Sequence, residues 1–373
     1  MKALFQGIGV LVHYNYALPY YLLKTGMEEI QILSNLLSFF MGGWYYYIKS
    51  LGKLNFKAYK SGTNIIDSKN FVQLLEKMFT ERLTLERYDI IHLNSYDHNF
   101  NIFSKAKIPK IFVLHGSPDY IDEIPCNIFE EISSKVDAVV AVSMYAANKL
   151  KEICGVEPSY VIHHGVDLEV FNPEICSKSS ARKKLGIPLY NNIILWNARL
   201  SPEKRLETLM CALPYIIKES KNVIVLIKTR AINRSYELKI LGLIKKLKVN
   251  EHVVFDRSWT PLIRMPVYYR AADVYVNTSM TEAFGSLAML EAMACGVPTI
   301  ANNASSNPEA LGDGGLLYDT NDPYDLAEKI LRVLTDNKLA RVLGCKAYKR
   351  IKRELTLTNI AKKYIELYSL LKA

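Results

Sequence analysis

The sequence has no long uninterrupted apolar run, no low-complexity tract and no closely spaced pair of cysteines. Its most apolar stretch, residues 32–48, contains two serines, an asparagine and two glycines, which makes it a poor membrane span. The six cysteines are scattered, which argues against a zinc site or a disulfide framework and favours a reducing compartment. The amino terminus is typical of a first strand rather than of a signal peptide. These absences predict a folded cytoplasmic protein.

Acidic residues are absent from residues 31–66, which instead carry aromatic residues followed by lysines. The members of this cluster are Phe39, Phe40, Trp44, Tyr45, Tyr46, Tyr47, Lys49, Lys53, Lys57 and Lys60. A helix would align the lysines on one face, and both residue types favour a headgroup region. Residues 33–60 are therefore predicted to touch an anionic membrane surface, on its inner face. The alternative is a solvated helix beside a partly buried aromatic cluster.

The net charge of +10 is unevenly distributed along the 373 residues. Residues 1–173 carry 16 Lys and Arg against 18 Asp and Glu, whereas residues 174–373 carry 31 against 19. A positive field in the second half would concentrate an anionic ligand there. The basic clusters are short and lack an aromatic stacking motif, so no nucleic acid partner is expected.

Short apolar strands alternate with helical stretches along the whole chain, a pattern that predicts parallel βαβ units. The length favours two domains, because single cores rarely grow to this size. We expect an α/β protein with two doubly wound, Rossmann-like domains facing a cleft. The predicted boundaries are 1–172 for the first domain, 173–188 for a linker, 189–355 for the second domain and 356–373 for a terminal helix.

Residues 278–298 place two carboxylates around the start of an apolar helix that follows a strand. Glu282 lies in the loop, and Glu291 lies within the helix. Parallel α/β sheets bind ligands at the carboxyl ends of their strands. A carboxylate on an apolar helix is costly without a partner, and sugar or ribose hydroxyls would serve as donors to it. The alternative is a buried helix whose Glu291 reaches solvent or an arginine.

Other candidate residues also follow predicted strands. Arg199 and Lys204 lie at a strand-to-helix turn, where helix amides already favour anions, and the alternative is a solvated basic loop with a Lys–Glu pair. His115 ends a strand and would face the cleft, where a structural hydrogen bond is the alternative role. Gly9 belongs to a Gly-x-Gly turn after the first strand, which is weak evidence alone.

These motifs, in this order, resemble the retaining glycosyltransferases of family 4, which have the GT-B fold. The resemblance assigns a catalytic role to Arg199, Lys204, Glu282 and His115. It assigns nucleotide and sugar contacts to Gly9, Phe284, Gly285, Ser286, Leu287 and Glu291. Two departures stand out: eight residues separate the two glutamates where the family has seven, and Ala198 and Arg205 replace glycines. In this fold the terminal helix packs back on the first domain.

The resemblance implies transfer of a sugar from a UDP- or GDP-sugar to a hydroxyl acceptor with the anomeric configuration kept. Arg199 and Lys204 would stabilise the departing diphosphate, so neither a metal nor another cofactor is expected, and no Asp-x-Asp motif is present. The membrane prediction makes a lipid or lipid-linked glycan the expected acceptor. The alternatives are a nucleotide-sugar 2-epimerase of the same fold and an inactive sugar-nucleotide-binding subunit.

Overall fold

The computed structural model describes residues 1–6, 14–35, 54–59, 88–94, 100–116, 125–229 and 233–373. These residues form two compact units. The first contains residues 1–163 together with 357–373, and the second contains residues 164–356.

Each unit is built on one parallel sheet. The strands of the first sheet are β1 (Lys2–Gln6), β2 (Glu29–Asn35), β3 (Leu54–Tyr59), β4 (Ile90–Leu93), β5 (Lys110–Leu114), β6 (Ala138–Ala141) and β7 (Tyr160–Val161). The strands of the second are β8 (Asn192–Asn197), β9 (Val223–Lys228), β10 (Val253–Asp256), β11 (Val274–Asn277), β12 (Thr299–Asn302) and β13 (Gly315–Tyr318).

Helices connect and cover the strands. Those of the first unit begin with α1 (Tyr14–Lys24), α2 (Phe100–Phe103), α3 (Cys126–Lys135) and α4 (Met144–Cys154). Those of the second are α5 (Lys178–Leu185), α6 (Leu206–Glu219), α7 (Arg234–Leu247), α8 (Met265–Ala271), α9 (Leu287–Ala294), α10 (Asn307–Leu311), α11 (Pro323–Thr335) and α12 (Asn337–Glu354). The last helix, α13 (Leu357–Lys372), belongs to the first unit. Among these described helices, none has both the length and the apolar composition needed to cross a bilayer.

The two sheets share one strand order. The first runs β3-β2-β1-β4-β5-β6-β7 and the second β10-β9-β8-β11-β12-β13. In each, the order reverses between the first and fourth strands, as in dinucleotide-binding folds, where ligands bind beyond the carboxyl ends at this switch point. The predicted α/β class with two doubly wound domains is confirmed. In the second unit the switch point lies between β8 and β11, so the residues after these two strands are the first candidates for a site.

The central strands are buried because apolar residues occupy consecutive positions, as expected for parallel strands covered on both faces. Strands β4 and β5 are buried along their whole length. In the second unit, Trp196 of β8 packs in one core with Leu209 of α6 and Ile330 of α11. Helix α13 packs on α1 and buries Tyr364 and Tyr368, which confirms the predicted return of the last helix to the first domain.

Strand β3 corrects one expectation. Residues 54–59 pair in parallel with β2, so the helix that would align the lysines of residues 33–60 is wrong over this segment. The reason is readable in the sequence Leu-Asn-Phe-Lys-Ala-Tyr, whose apolar residues alternate with period two. Residues 36–53 and 60 lie outside the described part of the chain.

The predicted linker, residues 173–188, contains a helix that belongs to the second unit. Helix α5 is capped by Ser177, whose hydroxyl accepts from the Ser180 amide, and it ends at Gly186 with a φ of 66°. The buried Arg182 binds Asp273 with an Nη2–Oδ2 distance of 2.6 Å. A polar, lysine-rich sequence thus folds as an amphipathic helix anchored by one buried ion pair.

Cysteine pairing is a second correction. Cys126, at the start of α3, and Cys154, at the end of α4, form a disulfide. Their separation of 28 residues concealed the pair, because the packing of α3 on α4 is what brings the two helix ends together. The argument from scattered cysteines to a reducing compartment therefore loses its premise.

Candidate active site

An ion pair joins the loops that follow β8 and β11. Lys204 ends a short 3-10 helix, Pro202–Lys204, and its Nζ lies 2.7 Å from Oε1 of Glu282. Each side chain is only 13% exposed. The Lys204 Nζ also donates to Oγ of Ser279 at 3.2 Å. Lys204 and Glu282, which the sequence analysis identified from separate motifs, are therefore in direct contact at the switch point of the second sheet.

Backbone hydrogen bonds fix the same two loops to each other. The hydroxyl of Thr278 donates to the carbonyl of Lys204 at 2.6 Å, and the amide of Met280 donates to the carbonyl of Glu203 at 3.0 Å. The backbone of Lys204 is thus held in a defined position.

Arg199 is held more loosely. Its side chain is 47% exposed, and its Nη2 lies 3.4 Å from Oε1 of Glu203. Glu203 also accepts a hydrogen bond from the hydroxyl of Ser201. An exposed pair of this kind contributes little to stability, so the Arg199 guanidinium can reorient toward an anion at small cost.

One departure from the family pattern is the residue after Lys204, where Arg205 replaces a glycine. Arg205 has a φ of 50°, in the left-handed region that favours glycine. A side chain there costs roughly 1–2 kcal/mol. The chain keeps the turn geometry of a glycine at this position, which is the N-cap of α6.

The Phe284–Leu287 segment forms the turn into α9. The Phe284 side chain is fully buried, and its ring packs edge to face against that of His164, with the centroids 6.4 Å apart. Gly285 has a φ of 51°, and a Cβ on it would lie 2.8 Å from Cβ of Ala310. Ser286 caps α9 by accepting from a first-turn amide at 3.1 Å, and Leu287 is the first helical residue. Since the helix runs unbroken through Glu291, eight residues between the glutamates are compatible with the turn.

Two serines, which sequence reasoning missed, hold this turn. Ser306 accepts from the Gly285 amide at 2.9 Å and donates to the Glu282 carbonyl at 2.6 Å. Ser305 accepts from the Glu282 amide at 3.2 Å. The backbone of Glu282 is therefore bound on both sides by the segment after β12.

A buried cluster of asparagine side chains donates hydrogen bonds to the same loop, and sequence reasoning missed this cluster as well. Asn302 donates to the Ser279 carbonyl at 2.7 Å, and Asn307 donates to the same carbonyl at 3.0 Å. Asn277 donates to the Asn307 side-chain carbonyl at 3.0 Å. Polar residues at the ends of two neighbouring buried strands were the available signal. The contacts of Asn302 and Asn307 show that the segment after β12 shapes this loop.

Glu291 lies in a largely apolar setting without an ion pair among the described residues. Its Oε2 accepts a hydrogen bond from the Tyr269 hydroxyl at 2.5 Å, and that hydroxyl accepts one from Asn197 Nδ2 at 2.8 Å. Burial raises the pKa of the Glu291 carboxyl to about 7, and the hydrogen bond from Tyr269 opposes this rise. Of the alternative expectation, a glutamate that reaches solvent or an arginine, the arginine is not found among the described residues, whereas Glu291 is in part exposed to solvent. A carboxylate this poorly neutralised is suited to hydroxyl donors from a ligand.

His115 lies directly after β5 in the first unit. Its Nε2 is 2.7 Å from Oδ1 of Asn94, which follows β4. Burial, together with a smaller contribution from the nearby His92, lowers the pKa of His115 to about 3. The ring is therefore neutral at physiological pH.

The last two expectations concern Gly9 and a metal site. Gly9 lies outside the described residues. Within the described ranges, no three His, Cys, Asp or Glu side chains come together as a metal site.

The fold defines a class of α/β proteins with two Rossmann-like domains, and family models identify the family within that class. Glycosyltransferase Family 4 matches residues 60–170, and Glycosyl transferases group 1 matches residues 177–350. The chain belongs to the group 1, family 4 glycosyltransferases.

Solved structures share the fold over the whole chain. Sucrose-phosphate synthase from Thermosynechococcus elongatus has a TM-score of 0.80 at 20% identity, covering 100% of this chain and 99% of that one. Anabaena HepE, in complex with UDP and glucose, has a TM-score of 0.79 at 19% identity, covering 99% and 100%. These likenesses establish the GT-B fold.

Among curated proteins, the D-inositol 3-phosphate glycosyltransferase of Streptomyces bingchenggensis is 30% identical over 225 residues. That alignment covers 58% of this chain and 49% of the relative. The match thus spans about half of the relative's length.

Proposed function

We propose that the chain is a retaining glycosyltransferase that moves a sugar from a UDP- or GDP-sugar to a hydroxyl acceptor. The observation that carries this proposal is the Lys204–Glu282 pair at the switch point of the second sheet. It sets a firmly held cation beside a carboxylate and within the turn that opens α6. A cation at a helix amino terminus suits a diphosphate, and a carboxylate suits sugar hydroxyls.

In the reaction, the bond from C1 of the sugar to the β-phosphate oxygen breaks, and a bond from C1 to the acceptor oxygen forms on the same face. The acceptor's proton leaves with the departing diphosphate. Negative charge grows on that diphosphate, so Lys204 and the reorienting Arg199 act where charge develops, which is the main electrostatic contribution expected. Fixed cations in this position make a metal unnecessary.

The remaining residues orient the donor. Glu291 accepts hydrogen bonds from the ribose, and Glu282 accepts from the sugar while paired with Lys204. The turn from Phe284 to Leu287 holds both glutamates in register. The resemblance further assigns His115 a contact with the donor sugar. The complex of HepE with UDP and glucose supports UDP as the first nucleotide to test.

We propose a lipid or lipid-linked glycan as the acceptor. Support comes from composition, since residues 31–66 lack acidic residues and carry the aromatic and lysine cluster described above. Vesicle co-sedimentation tests this. Binding should need anionic lipid, weaken with salt and fall when Lys49, Lys53, Lys57 and Lys60 are all replaced by Gln. Equal recovery with neutral and anionic vesicles, or none with either, would make the acceptor soluble.

The activity itself is tested by nucleotide release from a panel of UDP- and GDP-sugars, with and without acceptor mixtures. Acceptor-dependent release, with the product's anomeric configuration matching that of the donor by NMR, is expected. Release without acceptor together with an epimerised sugar would indicate the 2-epimerase. Tight nucleotide binding without any turnover would indicate a binding subunit.

A further inference from the structure

A chain of polar side chains connects the last helix of the first unit to His115. The Tyr368 hydroxyl, on α13, lies 2.6 Å from Nδ1 of His92, on β4. The His92 Nε2 lies 2.9 Å from Oδ1 of Asn94, and the His115 Nε2 lies 2.7 Å from the same oxygen. His92 and Tyr368 are both fully buried. Three hydrogen bonds thus join α13, the end of β4 and the end of β5.

Only one arrangement of protons satisfies all three bonds. A side-chain carbonyl oxygen accepts and never donates, so both imidazoles must carry their proton on Nε2. The His92 Nδ1 is then an acceptor, and the Tyr368 hydroxyl is the group that donates to it. The other tautomer of His115 would direct the Nε2 lone pair at the Asn94 oxygen from 2.7 Å, which is repulsive.

We infer that Asn94 is a positioning residue, which fixes His115 as the Nε2-protonated tautomer and is itself held by His92 and Tyr368. The role of the tautomer in turnover rests on the proposed function, whereas the tautomer itself does not. Because burial lowers the pKa of both histidines to about 3, neither ring charges near neutral pH. In the neutral ring of His115, the surroundings then decide whether the one proton lies on Nδ1 or on Nε2. Which imidazole nitrogen is protonated commonly depends on the hydrogen bond it makes to a neighbouring group.

The direct test is 15N NMR of the full-length protein labelled at histidine, with His115→Gln for assignment. The wild type should show protonated Nε2 and unprotonated Nδ1 at both His92 and His115. Asn94→Leu should give a mixture of tautomers at His115. A protonated Nδ1 at His115 in the wild type overturns the inference, and that measurement needs no variant other than the one used for assignment.

Helix α13 supplies a matched pair of variants for kinetics. Tyr368→Phe removes the donor to His92, whereas Tyr364→Phe removes a buried hydroxyl that has no hydrogen-bond partner among the described residues. Both tyrosines are fully buried on the same helix, one turn apart. Any effect common to the two variants is therefore a packing effect, and the difference between them reports the link to His92.

With an active donor and acceptor, Asn94→Leu should lower kcat about ten-fold or more while donor KM changes little, as expected when an outer partner orients a reacting group. Tyr368→Phe should lower kcat by a smaller factor, and Tyr364→Phe should match the wild type. Wild-type kcat in a folded Asn94→Leu, or equal losses in the two tyrosine variants, overturns the positioning role. The predicted tautomer without turnover on any donor would instead count against the proposed function.

Discussion

Lys204 and Glu282 lie 78 residues apart in the sequence and 2.7 Å apart in the structure. Their contact joins the loops that follow β8 and β11, the two strands between which the strand order of the second sheet reverses. Neither residue can be replaced without leaving the other largely buried and without its charged partner, and losing one partner of such a pair is more costly than losing both. The pair therefore links the two loops, and under the proposed function it also holds a cation where the donor diphosphate would bind.

The first prediction follows from the unequal restraint of the two cations. Lys204→Met should lower kcat by at least about a hundred-fold with a smaller rise in donor KM, because charge on the diphosphate develops toward the transition state. Arg199→Met should have the same direction with a smaller loss, since Arg199 starts 47% exposed. Steady-state kinetics at saturating donor measures both. Lys218→Met, on the exposed face of α6, is the control and should be silent. A wild-type kcat in either test variant would reduce that residue to a surface charge.

The second prediction concerns the proton on Glu291. With a pKa of about 7 in place of 4.5, this carboxyl is mostly protonated at pH 6. Ribose hydroxyls donate to the ionised form, so nucleotide affinity should rise from pH 5.5 to 8, with proton release on binding below pH 7. Calorimetry with UDP or GDP in buffers of different ionisation enthalpy measures the release. The folded state binds the Glu291 proton more tightly than the unfolded state does, because the pKa is raised on folding. The contribution of Glu291 to the free energy of unfolding therefore decreases as the pH rises from 4.5 to 7.

Two variants make that measurement decisive. Glu291→Gln should bind nucleotide roughly ten-fold or more weakly, since a hydrogen bond to a charged group contributes about 1.5–3 kcal/mol, and should lose the protein's share of the proton release. Tyr269→Phe removes the hydrogen bond that lowers the Glu291 pKa, so the transition should move to higher pH. An unchanged affinity in folded Glu291→Gln would refute the ribose assignment.

The sequence predicted the two doubly wound sheets because apolar runs alternate with helical periodicity. It also identified the residues at strand ends, since such positions face the ligand edge of a parallel sheet. It missed two of the described edge strands, β3 and β13. Strand β3 was obscured by a competing helical spacing of lysines, and β13 begins at Gly315, a residue type that is depleted in strands.

The hydrogen bonds that shape the loop between β11 and α9 could not be predicted from hydrophobic periodicity. Ser305, Ser306 and the amides of Asn302 and Asn307 act on residues 21–28 positions earlier in the chain. Short polar side chains give no periodic signal, and their partners are backbone atoms. Only the packing of β12 beside β11 brings them to the loop.

The third prediction tests the disulfide between Cys126 and Cys154. Thiol titration under denaturing conditions should find four free thiols before reduction and six after it. The chain-entropy treatment of a loop with 28 residues of separation gives about 3–4 kcal/mol of stabilisation. Cys126→Ala/Cys154→Ala should therefore lower Tm under oxidising conditions, whereas Cys345→Ala, an exposed free cysteine, should not. Six titratable thiols in unreduced protein would contradict the pairing.

The fourth prediction uses two glycines of the second unit in opposite surroundings. Gly285 has a φ of 51°, and a Cβ there would lie 2.8 Å from Cβ of Ala310, whereas Gly242 lies within α7 with nothing inside 4 Å of its Cβ position. Gly285→Ala should cost about 1–3 kcal/mol of stability from strain and overpacking, and should impair turnover by moving the loop between the glutamates. Gly242→Ala should stabilise by about 0.5–1 kcal/mol and leave activity unchanged. Urea denaturation and steady-state kinetics on both variants provide the comparison, and a stable, fully active Gly285→Ala would show that the turn into α9 tolerates displacement.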